Sequence, residues 1–160
     1  MRSALVSTGS DVPLPPLTEA GVLLGADAAD WRAAVRLAGS ALAATGSALE
    51  SYSDEMIRMV EEHGPYVVIA PGLALAHARP GPDVIADGVS VVTLRSPVSF
   101  GHPHHDPVSV VLGLAMTRVE AHLASVAEIA NIFNDPDAIT AVAEATSPAE
   151  VLAVMGVATR

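Results

Sequence analysis

The sequence predicts an α/β protein in which helices cover both faces of a small mixed sheet, giving three layers. Short apolar segments typical of strands are concentrated between residues 66 and 116, whereas amphipathic helical patterns occupy both ends of the chain. Hydrophobic residues make up 51% of the 160 residues and charged residues only 16%, which favours a packed core over disorder. The chain has no internal repeat and no linker-like segment, so we expect one domain over residues 17–160.

The N-terminal part of the chain contains an arm, an ambiguous segment and a helix. Residues 1–16 are rich in Ser, Gly and Pro without periodicity, which predicts a flexible arm. Residues 17–24 are compatible with either an edge strand or a helical turn. Residues 28–45 have helical periodicity, with Asp27 as the expected N-cap and Trp31 as an anchor in the core.

A second helix and two strands are expected next. The helix covers residues 54–63, with Ser53 as its N-cap. Residues 66–70 are an apolar run between two Pro/Gly pairs, which is typical of a buried strand. Residues 89–94 form another strand, after which Ser96 and Pro97 indicate a turn.

The C-terminal half is expected to contain a central strand and three helices. Residues 101–107 form a loop, because they include proline and glycine, and residues 108–116 are apolar on both faces of the predicted strand. The helices cover about residues 119–133, 136–145 and 148–155, the last two with Pro in the first turn. The expected buried face of the first of these helices contains Leu123, Val126, Ala127, Ala130 and Phe133.

Charge and composition exclude several classes of partner and site. The formal net charge is −10, with eight arginines and no lysine, which argues against nucleic acids and anionic membranes and favours a basic partner. The absence of cysteine excludes disulfides, thiolate chemistry and cysteine-based zinc sites. The longest apolar run, residues 108–116, is too short to cross a membrane, and the start of the chain lacks the apolar stretch of a secretory signal. We therefore expect a cytoplasmic protein without membrane insertion.

Two histidines follow predicted strands. His77 directly follows the apolar segment 73–76, and His122 lies near the start of the helix after the strand that ends at Met116. Neighbouring strand ends in an open α/β sheet bring such groups together. One imidazole can accept a phosphoryl group, while the other and the N–H groups of a helix N-terminus neutralise its oxygens. A hydrogen-bonded surface residue is the alternative interpretation of His77.

Other chemistries have less support in the sequence. The phosphate-loop and dinucleotide fingerprints and the Gly-x-Ser-x-Gly motif are missing. The cluster of His102, His104, His105 and Asp106 contains metal-ligand side chains, but the His pair spaced by four residues that is typical of zinc helices is missing. We expect neither a metal nor another cofactor, and a metal-dependent hydrolase built on this loop is the minor alternative.

A resemblance to a known family is carried by three segments, namely EEHGPYVVIAPGLALAHARP, GVSVVTLRSPVSFGHPHHDPVSVVLGLA and EAHLASVAEIANIF. They resemble the IIA component of the phosphoenolpyruvate-dependent sugar phosphotransferase system (PTS), in the mannitol/fructose-type superfamily. The ascorbate-type branch is the most similar, through HGPY, APGLA, HARP and Phe-Gly-His followed by Asp-Pro-Val. The resemblance extends over about residues 27–155.

The resemblance implies a mixed five-stranded sheet between helices and a phosphotransferase activity. Such proteins accept a phosphoryl group from the phosphocarrier HPr and pass it to a cysteine of a IIB component, which phosphorylates sugar during uptake through a membrane IIC component. By position, His77 matches the histidine phosphorylated on Nε2, and His122 the second active-site histidine. His102 and Asp106 match a loop near that site, and Arg79 is expected to act electrostatically on phosphate or partner.

Three departures from the family pattern concern the site and the partner surface. Ala76 replaces the proline that usually precedes the active histidine. Glu61 or its neighbours stand where the mannitol branch has an active-site arginine, and lysine is missing after Pro80. The sugar, which the resemblance suggests is ascorbate-like, and the oligomeric state stay open, with a homodimer compatible with the sequence. A regulatory IIA-like protein that signals through phosphorylation-dependent contacts is the alternative function.

Overall fold

The computed structural model describes residues 14–156, so most of the arm expected over residues 1–16 lies outside the described residues. Leu14, at its end, packs against the core. The strands are β1 (Val22–Ala26), β2 (Val68–Ala70), β3 (Leu73–His77), β4 (Gly88–Val98) and β5 (Val108–Ala115). The helices are α1 (Trp31–Ala44), α2 (Tyr52–His63), α3 (Val119–Ile132), α4 (Pro136–Ala143) and α5 (Pro148–Val154).

The five strands form one mixed sheet in the order β1-β4-β5-β3-β2. The pairs β1–β4 and β3–β5 are parallel, whereas β4–β5 and β2–β3 are antiparallel. This arrangement confirms the expected mixed, five-stranded sheet and places β5 in its centre. Because β3 and β5 run in the same direction, their C-terminal ends lie along the same edge of the sheet, which is the edge formed by strand ends.

Two hydrophobic clusters lie on opposite faces of the sheet and confirm the three-layer architecture. Ala74 and Ala76 of β3 belong to the cluster that contains α1 and α2, whereas Leu73 and Leu75 belong to the cluster with α3, α4 and α5. This alternation follows from the two-residue period of a strand.

On the two outermost strands of the sheet, the structure decides one open prediction and shortens one predicted strand. Residues 17–24, for which the sequence allows an edge strand or a helical turn, form a 3₁₀ turn (Glu19–Gly21) and the start of edge strand β1. The buried strand expected over residues 66–70 is shorter, because β2 begins at Val68 and Tyr66 is 41% exposed. Because β2 pairs only with β3, one of its sides has no neighbouring strand in the described sheet, which explains its partial exposure.

Strand β4 continues through the turn predicted at Ser96 and Pro97 and ends at Val98. The pairing with β5 is interrupted between Thr93 and Val98, and residues 95–97 are exposed. Pro97 therefore lies where its missing N–H group removes no ladder hydrogen bond, which is the position in which strands tolerate proline.

The predicted caps of the first two helices are wrong by two or three residues. Asp30, not Asp27, caps α1, and its carboxylate accepts a hydrogen bond from Ala33 N–H (2.9 Å). The N-cap of α2 is Ser51, while Ser53 is fully buried inside the helix. Acidic or hydroxyl residues occur at several neighbouring positions here, so the sequence pattern could not select among them.

The buried face predicted for α3 is correct for Phe133 but wrong for Leu123, Ala127 and Ala130. Ser125, Ile129 and Phe133 are buried, whereas Leu123 is 65% exposed. Apolar residues lie on several sides of this alanine-rich helix, so its period alone does not identify the side that packs on the sheet. As a result, an apolar stripe with Val119 and Leu123 faces outward.

The last two helices begin as predicted. The carboxylate of Asp135 accepts from Asp137 N–H in α4, and the hydroxyl of Ser147 accepts from Glu150 N–H in α5. Across residues 14–156, none of the helices has the length and apolar character needed to cross a bilayer.

Candidate active site

His77 is the last residue of β3, where it lies beside Leu114 of the central strand β5. Its ring is only partly buried, and its Nδ1 atom lies 2.8 Å from the carbonyl oxygen of Leu75. A carbonyl can only accept a hydrogen bond, so the Nδ1 atom must carry the proton. The lone pair of the imidazole is therefore on Nε2, where it is available to act as a nucleophile.

His122 stands next to His77, as the sequence predicted. The two ring centroids are 5.0 Å apart and the ring planes are inclined by 51°. The fold explains this proximity, because β5 ends at Ala115 and α3 begins at Val119, at the same sheet edge as the end of β3. Within the described part of the chain, the buried Nδ1 atom of His122 has no hydrogen-bond partner.

Tyr66 and His63 complete an aromatic row that sequence reasoning missed. The Tyr66 ring meets the His77 ring edge-on, with centroids 5.5 Å apart, and His63 meets Tyr66 at 6.2 Å. The signal for Tyr66 was the turn between β2 and β3, because an antiparallel hairpin places residues just before β2 beside the end of β3. A histidine in the last turn of a helix ordinarily complements the helix dipole, so no sequence pattern distinguishes His63 as a site residue.

These side chains line a pocket of about 300 Å³, together with Met59 and Arg79. Arg79 lies at its rim and is exposed, as expected for the residue that begins the loop after β3. The described lining of this pocket contains histidine and arginine but no carboxylate. The pocket is thus an electrostatically suitable place for an anionic group in a protein whose net charge is −10.

Both imidazoles are held in the neutral form near neutral pH. Burial lowers the pKa of His77 below 6.5, although its hydrogen bond to the Leu75 carbonyl opposes this shift. Burial also lowers the pKa of His122, and the neighbouring His77 lowers it further, because two adjacent imidazolium ions repel each other. A neutral His77 keeps the Nε2 lone pair that a nucleophile needs.

We expect both histidines to titrate below pH 6.5 when their ring C–H signals are followed by NMR. The unfolded chain takes up these protons near pH 6.5, before the folded protein does, so the unfolding free energy must fall as the pH decreases from 6.5 through the lower folded-state pKa values. In the variant His77→Gln, the pKa of His122 must rise, because the charge repulsion is removed. A titration midpoint at or above 6.5 for His77 would contradict its burial and tautomer.

The expected proximity of His102 and Asp106 to His77 is wrong. Their loop precedes β5, whereas His77 lies beside Leu114 near the end of that strand. The carbonyl of His105 accepts a hydrogen bond from Gly72 N–H (3.0 Å), which fixes the loop at the start of β3. Val108 and Leu114 are six positions apart along β5, which corresponds to about 20 Å. The loop therefore lies at the opposite edge of the sheet.

Asp106 organises that loop by accepting several hydrogen bonds. Its carboxylate accepts from the N–H groups of Phe100 (3.0 Å), Gly101 (2.7 Å) and His102 (3.0 Å) and from the hydroxyl of Ser99 (2.8 Å). Burial by itself would raise the pKa of Asp106, but these hydrogen bonds lower it on balance. The carboxylate is thus a structural anion of the loop.

The histidines of the same loop are also engaged locally. The Nδ1 atom of His102 accepts from the N–H groups of His104 and His105 (3.1 Å each), and its ring stacks on His105 at 4.6 Å. Within residues 14–156, no three His, Cys, Asp or Glu side chains converge in a way that could hold a metal ion. These contacts give no support to a hydrolase centred on the loop.

Comparison with known proteins finds similarity in sequence to one protein family. Residues 16–156 match the sequence profile of the family described as "Phosphoenolpyruvate-dependent sugar phosphotransferase system, EIIA 2". The chain is 38% identical to the Escherichia coli (strain K12) protein SgcA over 128 residues, which are 80% of this chain and 90% of SgcA. It is 36% identical over 117 residues to the ascorbate-specific PTS system EIIA component of the same strain, over 72% of this chain and 76% of that protein.

A solved structure shows the same fold. It is the complex of enzyme IIAMTL and phosphorylated enzyme IIBMTL of Escherichia coli, whose matching chain superposes with a TM-score of 0.76 and 24% sequence identity. The match covers 88% of this chain and 97% of that chain.

Proposed function

Because the chain belongs to the EIIA 2 family of the phosphoenolpyruvate-dependent sugar phosphotransferase system, we propose that it carries the phosphoryl group on Nε2 of His77. The observation that carries this proposal is the hydrogen bond between His77 Nδ1 and the Leu75 carbonyl (2.8 Å). That bond directs the proton to Nδ1 and leaves the Nε2 lone pair for the phosphorus atom.

The proposed reaction consists of two in-line transfers. The lone pair of His77 Nε2 attacks the phosphorus of a phosphohistidine on the donor HPr, the donor's P–N bond breaks, and its imidazole keeps the electron pair. In the second transfer, a cysteine thiolate of the IIB component attacks the phosphorus, and the electron pair of the P–N bond returns to His77. The thiolate must come from the partner, because this chain has no cysteine.

The residues around His77 suit the charge that this reaction places there. A phosphoryl group adds about 1.5 to 2 negative charges near neutral pH. His122 can donate an N–H group to a phosphoryl oxygen, since its ring lies 5.0 Å from that of His77. Arg79 and His63 add further donors at the rim of the same pocket.

The partners of the proposed cycle are HPr, the IIB component and, through IIB, the membrane component IIC. The solved complex of IIAMTL with phosphorylated IIBMTL, which shares this fold, supports IIB as the acceptor. The net charge of −10 favours basic partner surfaces. The identity to the ascorbate-specific component supports an ascorbate-like sugar as the substrate of the system.

The outward stripe of α3 is a suitable contact surface for these partners. Val119 and Leu123 are 60% and 65% exposed and lie one turn apart, next to His122. Adjacent exposed apolar side chains beside a reactive group favour protein docking, whereas isolated exposed apolar residues are common on protein surfaces. The same surface can serve HPr and IIB in turn, because both must reach His77.

We expect the variant Leu123→Ser to weaken docking without changing the chemistry. Removing one apolar anchor from the centre of an interface costs roughly 1–2 kcal/mol, so KM for phospho-HPr must rise about five- to thirtyfold while kcat stays within about twofold. Steady-state transfer from HPr measures both quantities. Leu23→Ser is the matched control, since Leu23 is 40% exposed on β1, at the far side of the sheet from β3. An unchanged KM for Leu123→Ser, or an equal rise for both variants, would exclude this surface.

The proposed function is tested by incubating the protein with phosphoenolpyruvate, enzyme I and HPr. We expect a phosphate on the protein that is labile in acid and stable in base, as a phosphohistidine is. We also expect its rate of formation to fall with acidification below the pKa of His77, because the imidazolium has no lone pair on Nε2. A protein that stays unlabelled when HPr itself is fully phosphorylated would refute the function.

A further inference from the structure

Among the described residues, Tyr52 has the only side-chain hydroxyl that hydrogen-bonds to backbone groups at the ends of both β3 and β5, beside His77. It is the first residue of α2, and it is 1% exposed. Its ring packs in the cluster between the sheet and helices α1 and α2. Its hydroxyl reaches the point where β3 ends, immediately after His77.

Three contacts define the position of this hydroxyl. It accepts from the N–H group of Ala78 (3.0 Å), the residue that follows His77. It lies 2.8 Å from the carbonyl oxygen of Leu114, the β5 residue paired with His77, and 3.2 Å from that of Ala78. With its single proton it donates to the closer Leu114 carbonyl. One hydroxyl therefore joins the ends of β3 and β5 at the His77–Leu114 pair.

We propose that Tyr52 is a positioning residue for phosphoryl transfer, whose hydroxyl fixes the backbone at His77 so that Nε2 points toward the donor. This inference rests on the proposed function of His77. The ring of His77 is oriented by its bond to Leu75, two residues earlier in the chain, and that bond forms only while the strand end keeps its geometry. Burial raises the pKa of Tyr52 to about 12, so the hydroxyl keeps its proton and remains both donor and acceptor.

The arrangement also explains why β3 can stop at His77 without leaving polar groups unpaired. Ala78 is buried, and a buried N–H group without a partner is unfavourable. The phenol satisfies the Ala78 N–H group and the Leu114 carbonyl while the chain turns away toward Arg79. Tyr52 thus couples the packing of α2 to the direction of the His77 imidazole.

The test uses the full-length variant Tyr52→Phe, which retains the ring and removes the hydroxyl. We expect phosphoryl acceptance from phospho-HPr to slow by about tenfold or more, since small displacements of a reacting group can cost up to about 10² in rate. The KM for HPr must stay unchanged, because Tyr52 is buried. In ¹⁵N NMR, the His77 ring must shift from the Nδ1–H tautomer toward the Nε2–H tautomer.

Ser90→Ala is the matched control for the loss of a buried hydroxyl. Ser90 is fully buried, and its hydroxyl donates to the Ala38 carbonyl (2.8 Å), so the variant removes a comparable bond between the sheet and α1. We expect it to be less stable than the wild type but to keep the wild-type transfer rate and His77 tautomer. The proposal is overturned if Tyr52→Phe keeps both wild-type values, or if Ser90→Ala changes them as much.

A measurement on the wild-type protein tests the hydrogen bond on which the proposal rests, even if Tyr52→Phe does not fold. The amide of Ala78 must exchange with deuterium slowly, because its hydrogen bond to a buried hydroxyl opens only with the surrounding core. Exchange as fast as that of the exposed loop after Arg79 would overturn the proposal. The His77 tautomer and the Ala78 exchange rate can be measured without any phosphoryl transfer. They therefore distinguish a failure of this inference from a failure of the proposed function.

Discussion

Replacement of His77 by alanine is expected to abolish phosphorylation of the protein completely. The proposed transfer is covalent, so removal of the nucleophile leaves no atom to accept the phosphorus. His122 does not substitute for it, because its Nδ1 atom is buried and its ring occupies the flank of the site. Intact-mass measurement under alkaline conditions, after incubation with phosphoenolpyruvate, enzyme I and HPr, shows whether any phosphate is bound.

His104→Ala is the matched control for this experiment. His104 is exposed on the loop at the opposite edge of the sheet, and we expect that variant to be labelled at the wild-type rate. Circular dichroism must show that His77→Ala is folded, which we expect because the His77 ring is only partly buried. Labelled His77→Ala protein would show that another residue is the acceptor.

Replacement of His122 by alanine is expected to slow phosphorylation without abolishing it. The neighbouring imidazole stabilises negative charge on the oxygens of a loose, in-line transition state, and it forms no bond to phosphorus. Loss of one such donor typically costs roughly 10²–10³ in rate, or about 3–4 kcal/mol of activation free energy. Rapid-quench measurement of a single turnover from phospho-HPr gives this rate directly.

Further variants at this position distinguish electrostatic stabilisation by His122 from a purely structural role. His122→Gln retains an N–H donor and must recover part of the lost rate, whereas His122→Ala and His122→Leu must not. A rate within about twofold of the wild type for His122→Ala, below roughly 0.4 kcal/mol, would leave His122 with no part in the transfer.

Much of the fold could be predicted because the strands and helices have strong patterns of their own. Apart from Ser109, the run 108–116 has no polar side chain on either face of the predicted strand, and residues 108–115 of it form the central strand β5. The capping signals at Asp135 and Ser147 located two helix starts correctly. The α3 face could not be predicted, because Leu123 and Ile129 are equally apolar and only packing against the sheet selects between them.

The core of the candidate site could also be predicted, because it depends on strand ends. His77 ends β3 and His122 follows β5, and parallel neighbours bring such positions to one edge of the sheet. The loop with His102 was misplaced because resemblance relates positions along the chain and does not establish which edge of the sheet a loop occupies. Its position follows from the pairing of β3 with β5.

The contribution of Tyr52 is invisible in the sequence for a different reason. Tyr52 is separated from Ala78 by 26 residues and from Leu114 by 62, so no local pattern connects them. An aromatic residue at the start of an amphipathic helix is ordinarily a core residue, and the ring of Tyr52 is one. Only the three-dimensional arrangement shows where its hydroxyl bonds.

The position of the phosphate on the labelled protein tests the central claim most directly. ¹⁵N and ³¹P NMR of uniformly ¹⁵N-labelled protein, phosphorylated through HPr and kept at alkaline pH, identifies both the histidine and the ring nitrogen that hold phosphorus. We expect one phosphate, on Nε2 of His77, because Nδ1 is bound to the Leu75 carbonyl. Phosphate on Nδ1 of His77, on His122 or on any other histidine would contradict this account.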